Sequence, residues 1–182
     1  MSFDALIIAD YDIDSVSGSS PMRLMIDDQP ATIQTIYNYL DHHGKVIPPI
    51  FGDKQLSWSS AYKLNGIALL STLQQHGYKT MLINSLSQDF DLFVELARQQ
   101  PLAIVISTTF IVNKTSLNSL VQCIRAVTPN IPIIAGGPFV YQSYLIHLRR
   151  EVPEFSSPQL QNDYLFWNTD EPDIDLYVTS LQ

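Results

Sequence analysis

Apolar residues along this chain fall into two alternating patterns, brief unbroken runs and longer stretches with helical spacing. The runs are Ala5-Leu6-Ile7-Ile8-Ala9, residues 78–83, Ala103-Ile104-Val105-Ile106 and Pro132-Ile133-Ile134-Ala135. Runs this short, bounded by punctuation, predict central strands of a parallel sheet covered on both faces. Between them, Tyr62, Ile67, Leu69, Leu70 and Leu73 recur at helical spacing, with Gly77 as a C-terminal stop. Phe90, Phe93, Val94 and Leu96 predict a second helix ending before Pro101. Leu117, Leu120, Val121 and Ile124 predict a third, which ends near Thr128-Pro129. A fourth is expected over 140–150, a loop over 153–162, and a last strand over 175–179.

Strand then helix, repeated at this spacing, implies right-handed crossovers. The expected fold class is α/β, a doubly wound parallel five-stranded sheet of Rossmann-like or flavodoxin-like type. Residues 1–182 are expected to form one domain with an elaborated insertion at about 12–60, which holds one amphipathic stretch at 32–42 (Ile33, Ile36, Tyr37, Leu40). No helix remains after the last strand, so the chain reads as a fragment of a longer polypeptide.

Two strands end in groups suited to a ligand. One stops in Ser107-Thr108-Thr109 and the other in Gly136-Gly137-Pro138. In open α/β sheets ligands sit outside the carboxyl ends of the strands. Hydroxyls there can donate to phosphate or amide oxygens, and glycines remove Cβ atoms that would block a bulky group. The competing structural reading is that Ser-Thr-Thr caps the next helix and Gly-Gly makes a tight turn.

Composition narrows the classes. The hydrophobic share of 46% can fill a core, and the net charge of -8, with no basic stripe, argues against nucleic acid as a partner. No apolar run approaches the ~20 residues of a membrane span, and no secretory leader is evident, so a cytoplasmic location is expected. Charged residues make up only 15% of the chain, which suggests that part of the surface is covered by a partner or by more of the same polypeptide. Cys123 is the only cysteine, so this chain alone cannot form an intramolecular disulfide or a cysteine-held iron–sulfur cluster; its helical position predicts a core thiol.

The order of features resembles the cobalamin-binding domains that precede the barrel in cobalamin-dependent radical S-adenosylmethionine enzymes. The resemblance spans about 4–179. It rests on the first strand, the helix Asn65-Gly66-Ile67-Ala68-Leu69-Leu70-Ser71-Thr72-Leu73 ending in His76-Gly77-Tyr78, the Ser107-Thr108-Thr109-Phe110 and Gly136-Gly137-Pro138 strand ends, and Asp173-Ile174-Asp175-Leu176-Tyr177-Val178. It implies that the corrin lies over the carboxyl edge while its nucleotide tail passes between strands. Ser107, Thr108, Thr109, Gly136, Gly137 and Pro138 would then bind cofactor, with Trp58 and Tyr62 forming a corrin floor.

It also implies a barrel domain of the same polypeptide as partner, holding the iron–sulfur cluster and S-adenosylmethionine, and methyl transfer as the reaction. This chain would not be catalytic alone: it lacks Cys-x-x-x-Cys-x-x-Cys, and Ser107 has no evident His and acid partners. It departs from the cobalamin domains of methionine synthase, which carry an Asp-x-His-x-x-Gly motif whose His ligates cobalt. Asp41-His42-His43-Gly44 has Val46 where the glycine should stand, so no metal ligand is expected from the protein.

Other functions of the same fold fare less well. Ser15 to Ser20 resembles a flavodoxin phosphate loop but runs into Pro21, a phospho-acceptor domain needs Asp where Ser107 stands, and no Gly-x-Gly-x-x-Gly follows the first strand. A degenerate cobalamin-like domain acting as an interaction or scaffold module remains open beside the carrier reading.

Overall fold

The computed structural model describes residues 3–10, 25–26, 29–30, 63–167 and 170–180. The amphipathic stretch at 32–42, His42, His43, Trp58 and Tyr62 lie outside them. Strands β1 (Ala5–Ile8), β4 (Thr80–Ile83), β5 (Ala103–Ser107), β6 (Ile133–Gly136) and β7 (Leu176–Val178) form a five-stranded sheet in the order β4-β1-β5-β6-β7. Every pairing in it is parallel. A separate antiparallel ladder pairs β2 (Met25–Ile26) with β3 (Gln29–Pro30). The helices are α1 (Leu64–Gln75), α2 (Phe90–Ala97), α3 (Lys114–Val127), α4 (Pro138–Leu148) and the short α5 (Pro158–Asp163). Numbering only the sheet strands in chain order gives 2-1-3-4-5, the flavodoxin-like arrangement.

Register sets the faces. Leu6 and Ile8 align with Ile104 and Ile106, which align in turn with Ile133 and Ala135. These residues form one core with Phe93 and Leu96 of α2, Leu117, Val121 and Ile124 of α3, and Phe139 and Val140 of α4. The opposite face carries Ile7, Leu82, Val105, Ile134 and Leu176 in register. Among the described residues α1 packs on it, chiefly over β1 and β4. Exposure rises across that face accordingly: Ile7 is fully buried, Val105 and Ile134 are half-buried, and Leu176 is 54% exposed.

Helix α1 is seated differently from what its apolar spacing suggests. Its buried residue is Gly66, where a Cβ would come within 2.7 Å of Ala9 Cβ and 2.9 Å of Leu82 Cδ1. The missing side chain brings helix and sheet close, leaving Ile67 exposed and Leu69 beside the groove described below.

Two sequence expectations are corrected. Cys123 is exposed, because Leu117, Val121 and Ile124 fix the buried face of α3 and turn position 123 away. The stretch expected as loop at 153–162 holds a 3-10 turn, Pro153–Phe155, and α5, started by Ser157, whose Oγ accepts the Leu160 N–H at 3.3 Å with Pro158 behind it. Serine before proline is a helix start, and that signal lay in the sequence.

Strand β7 is tied in by charge. Asp175 Oδ2 accepts from Arg125 Nη2 at 2.6 Å and from the Ile133 N–H at 2.7 Å, and Arg125 also donates to the Asp173 and Ile131 carbonyls. The Ile133 N–H, then Arg125, hold the Asp175 carboxyl below its ordinary range. A lowered carboxyl pKa contributes stability above the unfolded value and loses it as pH falls through the folded one. Asp175 is half-exposed and partly screened, so Asp175→Asn is expected to lower stability by about 1 kcal/mol at neutral pH and to remove that part of the acid dependence. Urea denaturation of both proteins at pH 7 and pH 3 checks it; equal stability at pH 7 would refute it.

Candidate functional site

Strand β1 lies between β4 and β5, so the chain leaves β1 in one direction across the sheet and later returns in the other. The switch point is therefore at the carboxyl ends of β1 and β5, the position where this fold class binds ligands. Asp10 follows β1, Asn84 and Ser85 follow β4, Ser107 ends β5, and Gly136 ends β6.

The β5 end is a compact hydroxyl cluster. Ser107 is 7% exposed; its Oγ accepts from Asn65 Nδ2 at 2.6 Å and lies 3.2 Å from Thr109 Oγ1. Asn65 Oδ1 is buried with no hydrogen-bond partner among the described residues. An orphaned buried acceptor costs about 1–3 kcal/mol, so this cluster is open to a donor. Thr108 is different: fully buried, it donates its N–H at 2.8 Å and its hydroxyl at 2.9 Å to the Gly136 carbonyl. Thr108 holds the two strand ends together.

None of these hydroxyls caps the next helix. That role belongs to Asn113, whose Oδ1 accepts the Ser116 N–H at 2.8 Å. The glycine half of the structural reading holds at Gly137, where φ is +114° and ψ −172°. Pro138 follows as the first residue of α4, whose N-terminus thus sits on the carboxyl edge. Gly136 has ordinary strand geometry; a Cβ there would lie 3.1 Å from Val178 Cβ.

Beside this cluster runs a largely apolar groove of about 250 Å³ on the α1 side of the sheet. Val105 and Ile134 form its floor, Leu69 of α1 and Val178 of β7 its walls, and Ser107 and Gly136 also line it. Among the described residues α1 packs chiefly over β1 and β4 and reaches β5 only at Asn65 and Leu69, which leaves the groove beside it.

A charged layer lies across the switch point. Lys63, just before α1, is 4% exposed and its N–H donates to Asn84 Oδ1 at 2.9 Å. Burial pushes its ammonium pKa down, and the Asp10 carboxylate opposes that shift. Asp10 Oδ2 in turn accepts the Leu86 N–H at 2.7 Å, so β1, β4 and α1 meet around one acid and one buried lysine.

The structure thus brings Ser107, Thr108, Thr109, Gly136, Gly137 and Pro138 together at one edge. Asn65, Leu69 and Val178 were not foreseen there. The rule that strand carboxyl ends face the ligand points to Asp10 and Asn84 as well, and counting one turn into the covering helix points to Asn65. Among the described residues no three His, Cys, Asp or Glu side chains converge to hold a metal ion, and no helix is long and apolar enough to cross a membrane.

These features define a flavodoxin-like α/β domain whose carboxyl edge joins a hydroxyl cluster to an apolar groove. No protein-family model, curated protein or solved structure matches the chain.

Proposed function

We propose that this chain is a cobalamin-carrying domain that presents the corrinoid to a radical S-adenosylmethionine barrel of the same polypeptide, for methyl transfer in the cytoplasm. The observation that carries the reading is the juxtaposition of Ser107 and Gly136 at an apolar groove beside α1. At about 250 Å³ the groove is smaller than the ~300–1,000 Å³ of a whole-ligand pocket, so it suits one planar arm while the ring rests on the exposed edge.

Ser107 and Thr109 would hydrogen-bond the arm, Asn65 Oδ1 would accept an N–H or O–H, and the missing Gly136 Cβ would leave it room. The α4 N-terminus would favour the tail phosphate. Bound cobalamin would supply the transferable methyl group, while the protein binds, orients and shields it. Trp58 and Tyr62, outside the described residues, would form a corrin floor.

The test is to mix the purified protein with hydroxocobalamin, remove free corrinoid by gel filtration and record the visible spectrum of the protein peak. A stoichiometric corrinoid spectrum without histidine-nitrogen ligation is expected. A colourless peak would favour the interaction module, for which the exposure of Leu176 and Val178 speaks, as does a Gly137 required by the turn and by Thr108 alone.

A further inference from the structure

On the sheet face away from the groove, β7 is held by a cage of rings. Phe166 has φ +72°, a left-handed backbone uncommon for a bulky residue, and its ring meets Tyr177 of β7 at 5.1 Å, His147 of α4 at 6.1 Å and Tyr144 at 6.2 Å. His147 also meets Trp167 edge-on at 5.8 Å. A strained Phe166 persists only while its neighbours hold it.

The hydrogen bonding of the cage is incomplete. His147 Nε2 lies 2.9 Å from Arg150 Nη1. A guanidinium only donates, so Nε2 is the acceptor and the proton of neutral His147 sits on Nδ1. That Nδ1 is buried without a partner among the described residues, as are Trp167 Nε1 and, one turn back on α4, Ser143 Oγ. The indole is therefore seated by ring contact alone, and the imidazole by ring contact and the single hydrogen bond from Arg150.

We propose that His147 is the keystone of an acid-sensitive latch: neutral, it seats Phe166 and Trp167 and thereby holds β7 on the sheet; protonated, it leaves the cage and β7 loosens. A second proton would go on Nε2, facing the Arg150 guanidinium. Glu171, on the segment leading to β7, favours the charged form, but Lys114 of α3 lies 4.0 Å from that carboxylate and offsets it. Burial first, then Arg150, lower the His147 pKa against the pull of Glu171. A histidine held neutral in the fold stabilises it above its unfolded pKa and loses that contribution as pH falls below about 6.5. Because Val178 of β7 walls the groove, opening would also release a bound arm; that consequence rests on the cobalamin reading, the latch does not.

Amide hydrogen exchange of β7, corrected for the intrinsic pH dependence, reads the latch directly. Protection of residues 176–178 is expected to fall roughly tenfold or more between pH 7 and 5, while the β1 amides stay protected. His147→Gln should abolish the step with helix content unchanged. Arg150→Ala, which removes the opposing cation, should move its midpoint to higher pH and serves as the test if His147→Gln does not fold. A step that survives in His147→Gln, an unmoved midpoint in Arg150→Ala, or a loss of protection that begins only below the ordinary carboxylate range, toward which Asp175 is displaced, would overturn the proposal. If β7 opens as expected yet hydroxocobalamin binds at no pH, the latch stands and the cobalamin reading fails; if the corrinoid binds and no step occurs, the reverse holds.

Discussion

Gly137→Val is expected to lower stability by about 3 kcal/mol or more, enough to unfold a marginal domain. Two independent effects add at this position. With φ +114° and ψ −172°, the backbone lies in a region essentially restricted to glycine, where any side chain adds about 1–3 kcal/mol of strain. A Cβ would also stand 3.1 Å from Thr108 Oγ1 and 3.2 Å from Thr108 N, atoms fixed by the double hydrogen bond to the Gly136 carbonyl. Gly136→Ala meets neither problem in full: its backbone is ordinary, its nearest contact is the Val178 side chain at 3.1 Å, and about 1 kcal/mol is the expected loss. Chemical denaturation of both variants decides it. Near-wild-type stability of Gly137→Val would mean that the turn between β6 and α4 is not built as described. The adjacent glycines thus do separate work: Gly137 makes the turn, and of the two only Gly136 reports on the groove without backbone strain.

The parts of the fold that were legible are those with a single local cause. Ala103 to Ile106 and Ile133 to Ala135 read as strands because both faces are apolar, and they pair in register as β5 and β6. Phe93 and Leu96, and Leu117, Val121 and Ile124, read as helix faces and are buried as such. Reading failed where a residue's role is set from outside its own element. Helix α1 looked like an ordinary apolar face, yet the close approach of Ala9 and Leu82 makes Gly66 its contact, something no periodicity can express. Cys123 lies next to Ile124 in sequence but off the buried face of α3, and a small apolar residue carries no mark of that difference. The hydroxyl and glycine ends of β5 and β6 were visible because chain and site coincide there. Asn65, Leu69 and Val178 join the same region only through tertiary packing.

That packing makes Leu69→Trp the sharpest probe of the proposed ligand. Leu69 is half-buried on α1 and walls the groove opposite Val178, so an indole there would fill much of a space of about 250 Å³ without touching the core on the other face. Trp is a tolerable helix residue, and the melting temperature should stay within a few degrees of the parent. Hydroxocobalamin affinity should fall by about 100-fold, the equivalent of ~2.7 kcal/mol, if the tail lies in this groove. A partial loss in Gly136→Ala, which adds a single methyl group at the same wall, would place the tail between β6 and β7. Unchanged affinity in Leu69→Trp would remove the groove from the site and leave the corrinoid only the carboxyl edge around Ser107, Thr109 and Asn65. Ser107→Ala then becomes decisive, because it deletes the hydroxyl that Asn65 donates to and frees that amide. Weaker corrinoid binding in that variant at unchanged stability would assign the hydroxyl to the ligand, whereas a loss of stability with no change in binding would assign it to the join between α1 and β5.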